Sequence, residues 1–352
     1  MLELYLNRCP LADLVAVIDS ATGEPHGLEV IDRTERLPVG SRHDAVLMQT
    51  ASHLGGYFLK LSDGTPVFAP LKFLPGEHRM GDRLSVIVRK PERQGKRATV
   101  SLADPPSASD NASDADATLR KCLQDLVARH RPKRVHIEER DQQRLFSPEI
   151  RESLHFEISR GLSVDWNRFL ARRKGRDLEI VVDETEAFAV IDVNSSSLHT
   201  GAFAVNQKAA ELALREILLT KIRGVILIDF IDMEDGIREV FLEEIKHGGF
   251  NRKNEIKVHG FTSLGILEIA RPKSERSLRE TLRTNDLYSA IRCYYELCAR
   301  CADRCATKEK LRLSLNEDIY KLYLDYGIIN AFHLQVNFMI APADSSYRFE
   351  MD

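Results

Sequence analysis

Residues 187–231 hold two short apolar runs, AFAVIDVN and GVILIDFI, each carrying an aspartate near its end, with NQKAAELALREILLTKI between them. The runs read as strands. The connecting segment, apolar at helical spacing, reads as a helix. Strand, helix, strand within one sheet makes a right-handed crossover with its two strands parallel, so their C-terminal ends lie on one edge. Asp192 and Asp229 fall at those matching ends. Adjacent strands lie about 4.8 Å apart and magnesium takes oxygen ligands at about 2.1 Å, so one ion fits between carboxylates on two such strands. Asn194, two residues beyond Asp192, points to the same side of its strand. A strand-end aspartate also caps a following helix or turn, and that alternative stays open for either residue alone. Asp232, at odd parity from Asp229 and just ahead of a helical pattern, reads as a cap.

The flanking patterns extend this unit into an α/β domain over 178–285. LEIVVDE precedes it as a strand, GIREVFLEEIKHG follows as a helix, and EIKVHGF with SLGILEIA add two strands. Upstream, short strand patterns separated by Gly, Pro and Asp fill 37–102 and predict a small barrel of the OB type. Residues 103–117, rich in Asp, Ser, Ala and Pro, read as a linker. The opening strands of 1–36 and the helix, strand and mixed helical pattern of 118–177 flank the barrel. The segment 286–352, with LYSAIRCYYELCARCADRC and LRLSLNEDIYKLYLDYGIINAF, is expected to be helical.

Charge is distributed unevenly. The formal net charge is -3, yet 72–97 carries eight Lys or Arg against three acids, and RFLARRKGR (168–176) carries five basic residues and no acid. Both stretches can hold a polyanion, or form solvated faces. The N-terminus has no basic, apolar, small-residue layout and no apolar run is long enough to span a bilayer, so a cytoplasmic protein without membrane contact is expected. Six cysteines, four of them clustered at Cys293, Cys298, Cys301 and Cys305, do not form a disulfide framework in a chain of 352 residues. They bind metal or pack on a helix.

TEAFAVIDVNSSS, NQKAAELALREI, GVILIDFIDM and TSLGILEIAR, in this order and spacing, resemble the catalytic domain of the ribonuclease E/G family. LELYLNRCPLADLVAVIDS with GLEVIDR and PVG resembles that family's opening, and FAPLK with KPERQGKRA resembles its RNA-binding barrel. The resemblance implies an OB barrel inserted in a ribonuclease-H-like subdomain, followed by a deoxyribonuclease-I-like catalytic α/β domain and a helical tail. It implies an endoribonuclease cutting single-stranded RNA to products with a 5′-phosphate and a 3′-hydroxyl. Asp192 and Asp229 match the magnesium (Mg2+) ligands, and Asn194 matches an asparagine that bonds the first aspartate or the ion's surroundings. Phe58, Phe68 and Lys96 match positions that stack on bases and contact the RNA backbone; both rings would serve equally as barrel core. Cys298 and Cys301 resemble a zinc (Zn2+) link that joins two protomers, which would make a homodimer.

Several family features are replaced. The segment that reads the 5′ end of RNA is not recognisable, RKGRD stands for a Ser-Gly-Gly turn, and LTKIRG lacks the usual Leu-Gly-Gly. Two functions follow as expectations: a magnesium-dependent endoribonuclease, favoured by Asp192, Asn194 and Asp229, and a non-catalytic RNA-binding protein that retains the fold.

Overall fold

The computed structural model describes residues 1–92, 96–103, 116–170, 173–174, 178–185, 187–195, 201–248, 250, 255–303, 310–341 and 346–351. Nearly all of the linker expected over 103–117 lies outside these residues, as does Cys305. The chain divides into two compact units, one of Met1–Thr34, Ala115–Arg271 and Ser277–Asp352, the other of Glu35–Asp114 and Pro272–Arg276.

The chain opens with β1 (Leu2–Arg8), β2 (Ala12–Asp19) and β3 (Pro25–Asp32), paired antiparallel in order. The smaller unit follows with β4 (Arg42–Ala51), β5 (Gly56–Leu61), β6 (Pro66–Pro70), β7 (Arg83–Lys90) and β8 (Thr99–Leu102). These five strands close into a barrel in the order β4-β5-β6-β8-β7, consistent with an OB-type fold. Alternate residues fill the interior, among them Leu47, Leu59, Val67, Val86, Val88 and Val100. Gly56 is required on packing grounds: a Cβ there would stand 2.5 Å from both the Ala69 carbonyl oxygen and Cζ of Phe68. Only a bare backbone lets the Phe68 ring lie across β5.

In the larger unit α1 (Ala117–His130) leads to β9 (Arg134–Ile137), α2 (Pro148–Ser153), β10 (His155–Ile158) and the short α3 (Asn167–Leu170). β9 and β10 extend the first sheet in parallel, giving the order β10-β9-β1-β2-β3. Leu119, Leu123 and Leu126 of α1 cover one face. The other face, with Leu14, Ala16 and Leu28, packs against the C-terminal helices. Covered on both sides, β2 reads in sequence as a continuous apolar run.

The second sheet comprises β11 (Arg173–Lys174), β12 (Leu178–Glu184), β13 (Phe188–Ser195), β14 (Gly224–Asp229), β15 (Lys257–Phe261) and β16 (Ile266–Arg271), ordered β11-β12-β13-β14-β16-β15. α4 (Ala202–Leu219) forms the crossover from β13 to β14, and α5 (Asp235–His247) follows β14. Ala209, Ala213 and Ile217 of α4 with Phe241 and Ile245 of α5 share one core with Ile191, Ile226, Ile228, Leu267 and Ile269. The alternate residues face the other way, and there Phe188 and Val225 are exposed. Inside this unit Arg279, buried, donates to the Val182 carbonyl at 3.0 Å and to Glu216 at 3.2 Å, joining β12 to α4.

The remaining elements are α6 (Leu278–Arg283), α7 (Leu287–Asp303), β17 (Leu311–Leu315), α8 (Glu317–Asp325), α9 (Ile328–Phe332), β18 (Val336–Ile340) and β19 (Tyr347–Met351). The helical tail expected over 286–352 is corrected: it contains a three-stranded sheet, β18-β17-β19. LRLSL alternates buried and half-buried residues with a period of two, and that period overrides the helix propensity of leucine. The tail packs on the first sheet, and Lys221 pairs with Glu29 while Arg215 donates to the Pro25 carbonyl at 2.9 Å. Three segments expected as separate domains thus share one compact unit. Among the described residues no helix is long and apolar enough to cross a membrane.

Leu313, central in β17, is fully buried, whereas Arg312 points to the opposite face. Leu313→Ala should lower the unfolding free energy by about 2–5 kcal/mol in urea titrations, and Arg312→Ala by less than about 1 kcal/mol. Equal losses from the two variants would contradict the strand.

Candidate active site

β13 and β14 run parallel, and their register sets Asp192 directly beside Asp229 as the last pair of the ladder. Each residue lies on the sheet face opposite α4 and α5, and both are exposed. Asn194, on the same face, donates from Nδ2 to Oδ2 of Asp192 at 2.8 Å, which fixes that carboxylate's orientation and leaves Oδ1 outside the bond. The structure therefore brings all three residues together at one end of one sheet. Among the described residues no Lys, Arg or His lies within ion-pair distance of Asp192 or Asp229. Two adjacent carboxylates without a cationic side chain are a donor set of hard oxygens suited to a cation.

The same face carries more negative charge one row back. Glu268 pairs with Leu227 and Asp183 with Val190, each two residues before the acid pair in register, and both acids are exposed. No group of three or more His, Cys, Asp or Glu placed to hold a metal occurs among the described residues. The candidate centre is thus a two-carboxylate site, the number magnesium commonly takes from protein while keeping water and phosphate as its other ligands.

Beyond Asp229 the chain turns inward. Phe230 enters the core with its ring 5.1 Å from that of Phe241, at right angles. The cap expected at Asp232 is corrected: the N-cap of α5 is Glu234, and Asp232 is exposed before it. Met233 must first reach the core, so the helix begins later than the charge pattern implies.

On the barrel, Phe58 and Phe68 are cross-strand partners with ring centroids 5.5 Å apart. Both are half-buried and belong to the outer side, not to the barrel core. The Arg97 guanidinium sits 4.5 Å above the Phe58 ring, and Lys96 beside it is exposed. Arg97 was not singled out by sequence; its position follows from the strand geometry that brings β8 beside β6. Two adjoining rings, a stacked guanidinium and an ammonium form a surface that can take unpaired bases and a phosphate backbone.

Cys298 and Cys301 lie on α7. Cys301 is 8% exposed within the core, and burial pushes the half-buried Cys298 thiol above its ordinary pKa, beside the Tyr294 hydroxyl. Cys301 packs within the core that α7 shares with the C-terminal sheet.

Residues 116–274, which include Asp192, Asn194 and Asp229, match the model of the ribonuclease E/G family. The chain is 31% identical to ribonuclease G of Escherichia coli (strain K12) over 111 residues, covering 29% of this chain and 22% of that protein. It is 30% identical to ribonuclease E of Buchnera aphidicola subsp. Schizaphis graminum over 152 residues, covering 39% and 14%, and 27% identical to ribonuclease E of E. coli K12 over 180 residues, covering 49% and 16%. The matched stretches thus span less than a quarter of these relatives. A solved multidomain protein with nucleic acid binding domains from Streptococcus pneumoniae aligns at 15% identity over 32% of this chain and 41% of that one, with a TM-score of 0.18, too low a likeness to bear on the fold. The acid pair, the asparagine beside it and the strands that carry them fall inside the stretch that is similar to the ribonuclease E/G family.

Proposed function

We propose that the protein is a magnesium-dependent endoribonuclease that cleaves single-stranded RNA and leaves a 5′-phosphate. The observation that carries this reading is the direct pairing of Asp192 with Asp229 at the open end of a parallel ladder. Asp192 and Asp229 would hold the ion. Bound there, magnesium supplies a lowered pKa for coordinated water and stabilises charge developing on phosphoryl oxygens. Asn194 keeps the Asp192 carboxylate in one orientation, so that no reorientation is needed when substrate arrives.

The charge of the sheet face supports the cation. Asp183, Asp192, Asp229 and Glu268 present four carboxylates on one side of the sheet. A phosphodiester is repelled by such a surface unless a cation intervenes. Binding energy must come from elsewhere, and the barrel supplies a suitable surface in Phe58, Phe68, Lys96 and Arg97. Stacking on aromatic rings favours bases that are free of a duplex, which is the basis of the single-strand preference.

Asp192→Asn and Asp229→Asn should each abolish magnesium-dependent cleavage of a labelled unstructured RNA. RNA affinity should stay within about threefold, because affinity rests on basic and aromatic groups and not on the acid pair. Full cleavage by both variants would remove the site. Wild-type protein that binds the RNA but never cuts it, with magnesium present, would favour the non-catalytic RNA-binding alternative.

Barrel and backbone contacts separate by their salt response. Lys96→Ala should weaken RNA binding and make the slope of log affinity against log salt shallower by about 0.7, the value for one lost phosphate contact on a single strand. Phe68→Ala should weaken binding with the slope unchanged, since stacking releases few counterions. An unaltered slope for Lys96→Ala would mean that RNA does not pass this side chain.

A further inference from the structure

We propose that Asn206 is a positioning residue of the metal site, acting on Asp229 through the backbone of Ile231. This rests on the reading of Asp192 and Asp229 as the metal ligands. Asn206 lies in the second turn of α4 and is completely buried, beside the apolar Val205, Ala209, Ala210 and Ala213. A primary amide in such surroundings is costly unless all its groups are bonded. Here the amide is spent on one residue: Nδ2 donates to the Ile231 carbonyl at 2.7 Å, and Oδ1 accepts from the Ile231 N–H at 3.1 Å.

That residue is where the sheet stops. Asp229 is the last residue of β14 in register with both neighbours, Asp192 on β13 and Ile266 on β16. Two positions later Ile231 has left both ladders, and the Asn206 side chain takes the place of a strand partner by satisfying its donor and its acceptor together. The backbone on either side of the Asp229 carboxylate is thereby fixed, by the sheet up to Asp229 and by the amide at Ile231. Phe230 between them is anchored in the core. α4 is also the crossover that follows β13, so the same amide ties the helix entered from the Asp192 strand to the exit of the Asp229 strand. A lone carboxylate at a frayed strand end would sample several directions. One bracketed in this way springs from a backbone that is set beside Asp192 before any ion arrives.

The test reads metal binding without catalysis. Manganese, an oxygen-preferring and paramagnetic stand-in for magnesium, is titrated into wild-type protein and three variants, and the free ion is followed by electron paramagnetic resonance. Circular dichroism melting is run in parallel. Asn206→Ala should weaken manganese binding by about tenfold, the usual scale for loss of a group that orients a ligand. Asn206→Ser, which keeps a hydroxyl able to bond one of the two Ile231 groups, should weaken it by about threefold and carries the test if Asn206→Ala does not fold. Ala209→Gly, buried in the same helix and remote from Ile231 in bonding, should lower the melting temperature and leave manganese affinity within about twofold. Manganese affinities of both Asn206 variants within twofold of wild type would overturn the proposal, as would an equal loss in Ala209→Gly. Failure of the wild-type protein itself to take up manganese would overturn the metal site on which the proposal stands, a result distinct from either of these.

Discussion

The parallel pairing of β13 with β14 is the constraint on which the candidate site depends. Ile191, Ile226 and Ile228 are completely buried against α4 and α5. A one-residue slip between the strands would turn an inward set outward. Each such side chain contributes about 1.5–3 kcal/mol by burial, so a slip costs an appreciable part of a stability of roughly 5–15 kcal/mol. The repulsion between two exposed carboxylates on neighbouring strands is only about 1 kcal/mol at aqueous dielectric. Burial on one face therefore holds two like charges together on the other.

Polar groups buried beneath the sheet extend the same control. α4 carries Asn206 and Glu216 on its buried face, positions where an amphipathic helix normally has only apolar residues. Glu216 meets Arg279, which also takes the Val182 carbonyl, and Asn206 takes both polar groups of Ile231. One helix is thus fastened to β12 near one end and to the exit of β14 near the other. Buried polar groups of this kind add directionality that apolar packing lacks. They place the backbone of the site, whereas the isoleucines hold the layers together.

Much of this was legible in the sequence because the second sheet obeys simple periods. Two apolar runs around a helical pattern lead directly to a crossover, and the matching aspartates follow from strand direction alone. The strands of the tail are hidden because LRLSL is only five residues long and rich in leucine, so its period of two competes with helix propensity. The place of Asp232 before a helical pattern suggests a cap, but the chain needs Phe230 and Met233 in the core before α5 can start. The stacking of Arg97 on Phe58 depends on a barrel closure that no local pattern encodes. Asn206 did leave a sign, an amide at a position that helical spacing assigns to the core.

The central claim is that Asp192 and Asp229 jointly hold one divalent cation. Crystals of the protein grown with manganese, with diffraction collected at a wavelength where manganese scatters anomalously, test it most directly. The account predicts one anomalous peak between the two side chains, about 2.1–2.2 Å from a carboxylate oxygen of each. A peak bound to one aspartate alone, a peak elsewhere on the protein, or a featureless map at saturating manganese would contradict it.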